Sequence, residues 1–263
     1  MLDYDFNEAG LKGKSLLIAG GTGGLGRAVV ALLADEGANL LVGYKDNRDR
    51  ALELQTTLRT AHGVEIALVG GDISTAEGRT QYLQATREMD GPLYGLVCLT
   101  GDPARVKFDQ ATDDDIHQSM AINYTGPILL ARAVADELKA TKTSGAIVLF
   151  STMQAVALFD SSINYAGPKK ALIHAARIMA KQWGGPDGIR VNVVAPGVNR
   201  AGMALSSIAS GKYDFFVDEG IIPRFGRAED VAKVVRLLVE PDNYLTGQVI
   251  TVDGGLTLRK DLR

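Results

Sequence analysis

Short apolar runs alternate with longer amphipathic segments along nearly the whole chain, and this alternation limits the possible folds more than any other feature. The runs are almost continuously apolar, which is typical of strands covered on both faces of a sheet. Helical segments between such strands indicate parallel pairing through right-handed crossovers, with helices on both faces. The predicted strands are Ser15–Ala19, Asn39–Gly43, Glu65–Val69, Leu93–Leu99, Ala146–Phe150, Arg190–Val194 and Gln248–Val252. The predicted helices are Arg27–Glu36, Asp49–Thr60, Gly78–Glu88, Asp113–Leu138, Tyr165–Trp183 and Ala228–Val239.

This pattern predicts an α/β fold with a doubly wound parallel β-sheet flanked by helices on both faces. The 263 residues contain no internal repeat, no low-complexity linker and no break in composition, so residues 1–263 are predicted to form a single domain. The longest stretch without a regular pattern is 199–227, which we predict to be a loop region.

Composition excludes several classes of protein. Apolar residues make up 46% of the chain, enough for a sizeable core, and the net charge of -3 argues against nucleic acid or an anionic membrane as a partner. The single cysteine, Cys98, excludes an internal disulfide and suits the cytoplasm. Met1–Gly10 is acidic and has no apolar core, so we expect no secretory signal there. No apolar run approaches the roughly 20 residues of a membrane span.

Histidine and aspartate positions predict no metal site. His62, His117 and His174 are scattered and lack the spacing of metal ligands. The acidic run Asp113–Asp115 follows Thr112, an arrangement typical of a helix N-terminus, and three consecutive helical residues do not share one face.

A glycine-rich turn follows the first predicted strand and opens the first helix. It reads Ala19-Gly-Gly-Thr-Gly-Gly-Leu-Gly26, and glycines at these places let the backbone turn tightly and approach a pyrophosphate. Amide groups and the dipole at a helix N-terminus then attract the phosphates. Glycines also serve packing alone, but the position of this turn favours dinucleotide binding.

The end of the second strand bears on which dinucleotide binds. An acidic residue there would accept hydrogen bonds from the adenine ribose of NAD and repel a 2′-phosphate, but Tyr44 and Lys45 follow Gly43 instead. Lys45, with Arg48 nearby, favours NADP(H) over NAD(H); the alternative is a solvated charge after a strand.

Tyr165 and Lys169 lie four residues apart and share one face if the segment is helical. Pro168 is best tolerated in a first turn, which predicts that Tyr165 lies near the helix N-terminus. A nearby ammonium group lowers the pKa of a phenol and would make Tyr165 a general acid or base. Without other evidence, such a pair is often two exposed side chains that have no catalytic role.

Other residues stand in a characteristic order around this pair. Asp72 follows the third strand, Asn123 lies in the long helix, Ser151 and Thr152 follow the fifth strand, and Pro196-Gly197 follow the sixth. Together with the glycine turn and Asp253-Gly254-Gly255, they resemble the short-chain dehydrogenase/reductase family from about Leu11 to Leu256, and its 3-oxoacyl-[acyl-carrier-protein] reductases in particular. The resemblance implies a Rossmann fold.

The resemblance also implies roles for individual residues. Tyr165 would be the acid/base, and Lys169 would bind the nicotinamide ribose and lower the pKa of the phenol. Thr152, thirteen residues before the tyrosine, would bind the substrate oxygen, with Ser151 as the alternative. Asn123 would hold a water of a proton relay, or mend a helix kink, or both. The implied cofactor-binding residues are Gly20, Thr22, Gly24, Leu25, Gly26, Tyr44, Lys45, Asp72, Ile73, Gly101, Tyr165, Lys169, Pro196 and Gly197.

The chain departs from the family pattern near the nicotinamide. Cys98-Leu99-Thr100-Gly101 replaces the usual Asn-Asn-Ala-Gly, and we interpret Cys98 as a small buried hydrophobe. Gly23 replaces a residue that often holds phosphate. Asn199 and Ala201 stand where an aliphatic residue and a threonine are usual beside the carboxamide.

The implied function is NAD(P)(H)-dependent hydride transfer between nicotinamide and a carbonyl or alcohol. A 3-oxoacyl thioester is the leading substrate, and sugars, polyols or steroid-like alcohols are alternatives; a sensor or scaffold without turnover is the alternative of another class. Residues 199–227 would be a substrate lid whose aromatic residues suit a partly apolar substrate. The apolar face of the helix Ala171–Trp183 suits either a homotetramer or homodimer interface or the chain's own core.

Overall fold

The computed structural model describes residues 10–160 and 162–259. The predicted absence of a secretory signal concerns residues that, apart from Gly10, lie outside this part of the chain. Seven strands form one parallel sheet. They are β1 (Ser15–Ala19), β2 (Asn39–Tyr44), β3 (Ile66–Gly70), β4 (Leu93–Cys98), β5 (Gly145–Phe150), β6 (Ile189–Pro196) and β7 (Val249–Val252).

The strand order is β3-β2-β1-β4-β5-β6-β7, and the predicted doubly wound parallel sheet is confirmed. The chain winds outward in both directions from β1 and β4, which pair directly through Leu17 and Leu96. Loops after these two strands therefore diverge, and a crevice opens at the carboxyl ends of the strands, where such sheets bind ligands.

Helices cover both faces of the sheet, as predicted, because successive strand residues point to opposite sides. Leu17 packs in a core cluster with residues of α5 and α6, whereas Ile18 packs with residues of α1 and α9. The helices are α1 (Gly24–Asp35), α2 (Arg48–His62), α3 (Ala76–Arg87), α4 (Asp113–Met120), α5 (Gly126–Ala140), α6 (Ile163–Asp187), α7 (Leu205–Ala209), α8 (Asp214–Asp218), α9 (Ala228–Val239) and α10 (Leu256–Arg259).

The apolar face of α6 faces the sheet. Ile173, Ala176, Ala180 and Trp183 are all buried in the same core cluster, which decides between the two interpretations of this face in favour of the chain's own core. Within the described residues, no helix is both long and apolar enough to cross a membrane.

The long helix predicted over Asp113–Leu138 consists of α4, a π-helical turn at Ala121–Thr125, and α5. Thr112 and Asp115 form a capping box at its start, which confirms the predicted role of the acidic run. The π turn contains the buried Asn123. Such turns are frequent at functional sites.

The helix α6 begins at Ile163, so Tyr165 lies in its first turn as predicted. Pro168 lies in the second turn, however, and the prediction that it belongs to the first turn is wrong. Proline has no N–H to donate to the carbonyl four residues earlier, that of Asn164. The hydroxyl of Ser119 donates to this carbonyl instead, which removes part of the penalty for an internal proline.

Residues 199–227 are less irregular than predicted. They contain a 3-10 turn at Gly202–Ala204 and the short helices α7 and α8. Helices this short are not stable alone. They persist because Phe216, Ile221, Ile222 and Phe225 form a separate apolar cluster with Met153, outside the two clusters that cover the sheet.

Candidate functional site

A cavity of about 1480 Å³ opens at the carboxyl ends of the strands. This volume exceeds the range of about 300–1,000 Å³ usual for one drug-sized ligand, so the cavity has room for a large cofactor and a substrate. The structure brings all of the predicted cofactor-binding residues to its wall, together with Thr152. Asn123 is the exception among the predicted site residues, since its side chain is fully buried behind the wall.

The glycine turn forms one side of the cavity and leads into α1. No side chain caps the N-terminus of α1, whose N-cap is Gly23, so its first amide groups are open to a ligand. At Gly26 a β-carbon would lie 2.4 Å from the carbonyl oxygen of Gly20, which explains why this position is a glycine. The turn is therefore a narrow backbone cradle with the positive end of a helix dipole.

The segment 199–227 lies directly on this cradle. A β-carbon at Gly24 would lie 2.2 Å from the backbone nitrogen of Gly202, so the two backbones touch. Arg105, from the loop after β4, donates a hydrogen bond of 3.0 Å to the carbonyl of Met203. Two loops that line the cavity thus contact each other, and one of them also contacts the glycine turn.

Thr152 and Tyr165 meet at the other end of the cavity. The Thr152 hydroxyl lies close enough to the Tyr165 phenol to lower its pKa, and the Thr152 oxygen accepts a hydrogen bond from the Gln154 amide at 3.3 Å. Ser151, the alternative to Thr152, instead donates to the carbonyl of Lys169 at 3.0 Å within the core. The geometry therefore favours Thr152 over Ser151 as the hydroxyl partner of the phenol.

Lys169 is buried with only 1% of its surface exposed, and its ammonium group is held by two backbone carbonyls. Its Nζ donates to Phe150 O at 2.8 Å and to Thr100 O at 3.1 Å. Burial lowers the pKa of Lys169 to about 8. The side chain lines the same cavity as Tyr165, as their four-residue spacing predicts.

The phenol itself is shifted in the direction opposite to our expectation. Burial raises the pKa of Tyr165 to about 12; the hydrogen bond with Thr152 lowers it, and the carboxylate of Asp102 raises it further. Lys169 is not among the groups that set this shift, and its ammonium group donates to backbone carbonyls rather than to the phenol. In the chain alone, the phenol therefore stays protonated.

The buried Lys169 makes stability depend on pH. Because its folded pKa is about 8 and its ordinary value is 10.5, the unfolded chain binds more protons between these values, so stability rises with pH in this window. We expect the free energy of unfolding of the wild type, relative to Lys169→Met, to rise by about 2–3 kcal/mol from pH 7 to pH 10. Urea titrations at both pH values measure it, with the exposed neighbour variant Lys170→Met as the control. If the free energy of unfolding of the wild type relative to Lys170→Met rose by the same amount, the pH dependence could not be assigned to Lys169.

Asn123 fixes the loop that carries Gly101. Its Oδ1 accepts from the Asp102 amide and its Nδ2 donates to the Asp102 carbonyl, both at 3.0 Å. A β-carbon at Gly101 would lie 3.1 Å from this Oδ1 and 3.2 Å from Nζ of Lys169. This explains why the glycine is kept in Cys98-Leu99-Thr100-Gly101. Cys98 is buried, as predicted, and burial raises its pKa.

Ser119 was missed by sequence reasoning. It accepts a hydrogen bond of 3.1 Å from Nδ2 of Asn123 and donates to the carbonyl that Pro168 leaves free. It therefore joins the π turn to the first turn of α6, which carries Tyr165. The signal was the proline itself, since an internal proline predicts that some outside donor satisfies the carbonyl four residues earlier.

Lys45 and Asp72 form an ion pair of 2.8 Å at the other edge of the cavity. The hydrogen bond to Asp72 raises the pKa of Lys45. Burial alone would raise the pKa of Asp72, but the hydrogen bonds that Asp72 accepts from Lys45 and Ser74 lower it overall. Asp46 also lines the cavity, so an acidic group lies two residues beyond β2. Lys45 is thus half-exposed but not a solitary charge.

Metal ligands do not gather in the part of the chain that the structure describes. Across residues 10–160 and 162–259, no three His, Cys, Asp or Glu side chains are close enough to hold an ion. His62 lies 3.2 Å from a carboxylate oxygen of Asp35, on the surface.

Comparisons with known proteins agree with this arrangement. A family model described as Enoyl-(Acyl carrier protein) reductase matches residues 19–257. Glucose 1-dehydrogenase of Gluconobacter oxydans is 30% identical over 252 residues, which cover 95% of this chain and 94% of that protein. The uncharacterized oxidoreductase YmfI of Bacillus subtilis is 30% identical over 246 residues, covering 92% and 98%. The structure of L-sorbose reductase from Gluconobacter frateurii, complexed with NADPH and L-sorbose, has a TM-score of 0.87 at 26% identity, covering 95% and 99%.

Proposed function

The chain belongs to the short-chain dehydrogenase/reductase family, and on that premise we propose that Tyr165 exchanges a proton with the oxygen of a ketone or secondary alcohol in its cavity. The protein is an NAD(P)-dependent oxidoreductase acting on alcohol or carbonyl substrates. The observation that carries the proposal is the proximity of the Thr152 and Tyr165 hydroxyls at the wall of the cavity that the glycine turn also lines.

The residues present fit a nicotinamide dinucleotide. The backbone cradle at Gly26 and the uncapped N-terminus of α1 suit a pyrophosphate. Pro196 and Gly197 at the end of β6 line the same cavity as Thr152. When bound, the cofactor supplies or accepts the hydride.

Residues of this chain supply and accept the proton that is exchanged with the substrate oxygen. Thr152 holds the substrate oxygen beside the Tyr165 hydroxyl, and Tyr165 donates its proton to that oxygen in reduction or accepts it in oxidation. The raised phenol pKa keeps this proton in place before reduction. Lys169 would bind the nicotinamide ribose and return a proton to the phenol. Asn123 holds the Gly101–Asp102 backbone, and because its amide bonds the Asp102 backbone and Ser119, any relay water would lie beside that backbone.

A carbonyl and alcohol panel tests the proposal. We expect the protein to oxidise NADPH, followed by its absorbance, with at least one ketone class and to run in reverse with the matching alcohol. Thr152→Val, which removes the hydroxyl but keeps the volume, should lower kcat/KM by about 10–100-fold. Failure of every ketone and alcohol, with the cofactor demonstrably bound, would contradict the proposal.

A 3-oxoacyl thioester is the leading substrate within this class. Apolar and aromatic residues of the 199–227 lid, among them Tyr213 and Phe215, line the cavity and suit an acyl chain. Arg105, Lys107 and Lys212 line it too and suit the phosphates of a thioester carrier. Sugars or polyols are the second candidate, because glucose 1-dehydrogenase and L-sorbose reductase are similar along nearly their whole length. The ratio of kcat/KM for a 3-oxoacyl thioester and a ketose decides between them.

Lys45 supports a preference for NADP(H) over NAD(H). On 2′-phosphate binding, its ammonium would turn from Asp72 to the phosphate. A charged hydrogen bond contributes roughly 1.5–3 kcal/mol and the surface ion pair that is lost about 0.2–1 kcal/mol, so we expect NADPH to bind about 3–30-fold more tightly than NADH. Lys45→Met should remove most of this preference, whereas Arg48→Met, outside the cavity wall, should keep it. Calorimetric titration measures both ratios, and tighter binding of NADH to the wild type would overturn the assignment.

We also propose a cytoplasmic homodimer or homotetramer. The apolar face of α6 is buried in the chain's own core, so an interface would use other residues. Ile178 on the outer side of α6 and Leu237 on α9 are each 46% exposed. Sedimentation velocity gives the mass in solution, and a monomer at micromolar concentration would contradict this assembly.

A further inference from the structure

Gln154 presents an amide side chain to the cavity and is held there by a single side-chain contact. It lies in the 3-10 turn Met153–Ala155, directly after Thr152, and lines the large cavity. Its Oε1 accepts a hydrogen bond from the hydroxyl of Ser162, a buried residue that lines the same cavity. In a glutamine amide the oxygen accepts and the nitrogen donates, so this bond fixes which end of the amide meets Ser162. The nitrogen Nε2 is the end that remains.

Ser162 makes this contact in place of the one that its position favours. It is the N-cap residue of α6, where a serine side chain usually accepts a hydrogen bond from an amide of the first turn. Here the side chain makes no capping bond, and the hydroxyl donates to Gln154. Because a side-chain cap would stabilise the helix, its absence points to a role for the Gln154 amide other than helix stability.

Nε2 of Gln154 is open to a ligand. Within residues 10–160 and 162–259 it has no hydrogen-bond partner, and it is not buried, since Oδ1 of Asn199 is the one buried side-chain oxygen or nitrogen there without a partner. The backbone amide of Gln154 donates to Oγ1 of Thr152 at 3.3 Å, so the side chain starts beside that hydroxyl. The N–H₂ group therefore belongs to the reacting end of the cavity, with two hydrogens to donate.

The neighbouring wall of the cavity is apolar. Met153 belongs to an apolar cluster that also contains Phe159 and Phe215, and all three residues line the cavity. A ligand that offers only carbon to the Gln154 amide would take it out of water without giving it a partner. A site of this kind discriminates against ligands that lack the matching polar group.

We propose that Gln154 is a specificity-determining residue whose Nε2 donates a hydrogen bond to a second carbonyl oxygen of the substrate. This inference rests on the proposed function, because Thr152 and Tyr165 have to hold the ketone oxygen. The second oxygen lies within a few bonds of the ketone, since the side chain that meets it starts beside Thr152. A 3-oxoacyl ester or thioester carries such a carbonyl two carbons away, whereas a plain alkyl ketone does not. Gln154 thus favours 3-oxoacyl compounds over simple ketones.

The test compares two methyl ketones of equal chain length, ethyl acetoacetate and 2-heptanone, of which the first carries the second carbonyl. The kcat/KM of each is measured at pH 8 from the absorbance of NADPH. Gln154→Glu keeps the shape and the acceptor for Ser162 but has no hydrogen to donate, so we expect it to lower the ester-to-ketone ratio of the wild type about tenfold. Gln154→Leu, which adds no charge, should lower the ratio similarly. The change in the ratio is independent of the different intrinsic reactivities of the two ketones.

Gln118→Leu is the matched control, since Gln118 is exposed on α4 and lies outside the cavity wall. It should keep the wild-type ratio. If both Gln154 variants lost activity equally with the two ketones, their ratio would stay unchanged, and Gln154 would only support the structure around Thr152. That result would overturn the inference and leave the proposed function intact. If Gln154→Leu does not fold, Gln154→Glu decides.

A wild type that binds NADPH but reduces neither of these two ketones would also overturn the inference. The proposed function fails only if the wider panel of carbonyls and alcohols gives no activity either. The two failures are therefore distinguishable.

Discussion

Replacing Tyr165 by phenylalanine is expected to lower kcat by about 10²–10⁴-fold, the usual contribution of a positioned general acid. The variant lacks only the hydroxyl that pairs with Thr152, and the ring still fills its place beside the cavity. NADPH should therefore bind within about twofold of the wild type. Stopped-flow absorbance of NADPH gives the rate, and fluorescence titration gives the dissociation constant.

Tyr213→Phe is the matched control for this experiment. It also removes one phenol hydroxyl from the wall of the same cavity, but in the 199–227 segment rather than next to Thr152. Its kcat should stay close to that of the wild type. A Tyr165→Phe variant as active as Tyr213→Phe would show that another group supplies the proton.

Replacing Gly26 by alanine is expected to act on binding rather than on chemistry. The new β-carbon would lie 2.4 Å from the Gly20 carbonyl oxygen and 2.8 Å from backbone atoms of Gly21, and backbone cannot move aside cheaply. We expect the free energy of unfolding to fall by about 1–3 kcal/mol, as for other overpacked sites. Because the cradle has to widen, NADPH affinity should fall by roughly 10–100-fold for a similar loss of binding energy.

Gly185→Ala controls for the generic effect of this substitution. Gly185 lies near the end of α6, is exposed, and has open space where a β-carbon would be added. An alanine there should leave NADPH affinity unchanged, because Gly185 lies outside the cavity wall. If Gly26→Ala and Gly185→Ala bound NADPH with equal affinity, the proposal that the glycine turn binds the cofactor would be contradicted.

The sheet could be predicted closely because its strands are covered on both faces. Leu16 to Ala19 in β1 and Val191, Val193 and Val194 in β6 are all fully or almost fully buried, so the apolar pattern is unbroken and can be read directly along the chain. The short helices α7 and α8 carry no such signal. They depend on contacts with Met153 and Ile222, which lie outside the two helices themselves.

The sequence predicts which residues line the cavity, but it does not predict their ion-pair and hydrogen-bond partners. Lys45 and Asp72 lie on different loops, and only the folded chain shows that the lysine already has a carboxylate partner. The four-residue spacing of Tyr165 and Lys169 predicts a shared face correctly. It does not predict where the ammonium group goes, because the carbonyls of Phe150 and Thr100 come from β5 and the loop after β4.

The π turn shows a similar limit. The sequence places Asn123 in a helix, and a kink there was one of two compatible interpretations. The wide turn forms around a side chain whose partners, the Asp102 backbone and Ser119, belong partly to another loop. Contacts between segments, rather than local preferences, therefore set the geometry around Tyr165.

The ionisation of Tyr165 with and without cofactor is the most direct test of the proton-transfer role. Ultraviolet difference spectra of wild type minus Tyr165→Phe isolate this phenol during a pH titration. The protein alone should titrate near pH 12, because burial and Asp102 hold the proton. With NADP⁺ bound, the positive ring beside Thr152 and a Lys169 turned toward the ribose should lower this pKa by several units. A phenol that titrates at the same pH with and without NADP⁺ would contradict its role as the proton-exchanging group.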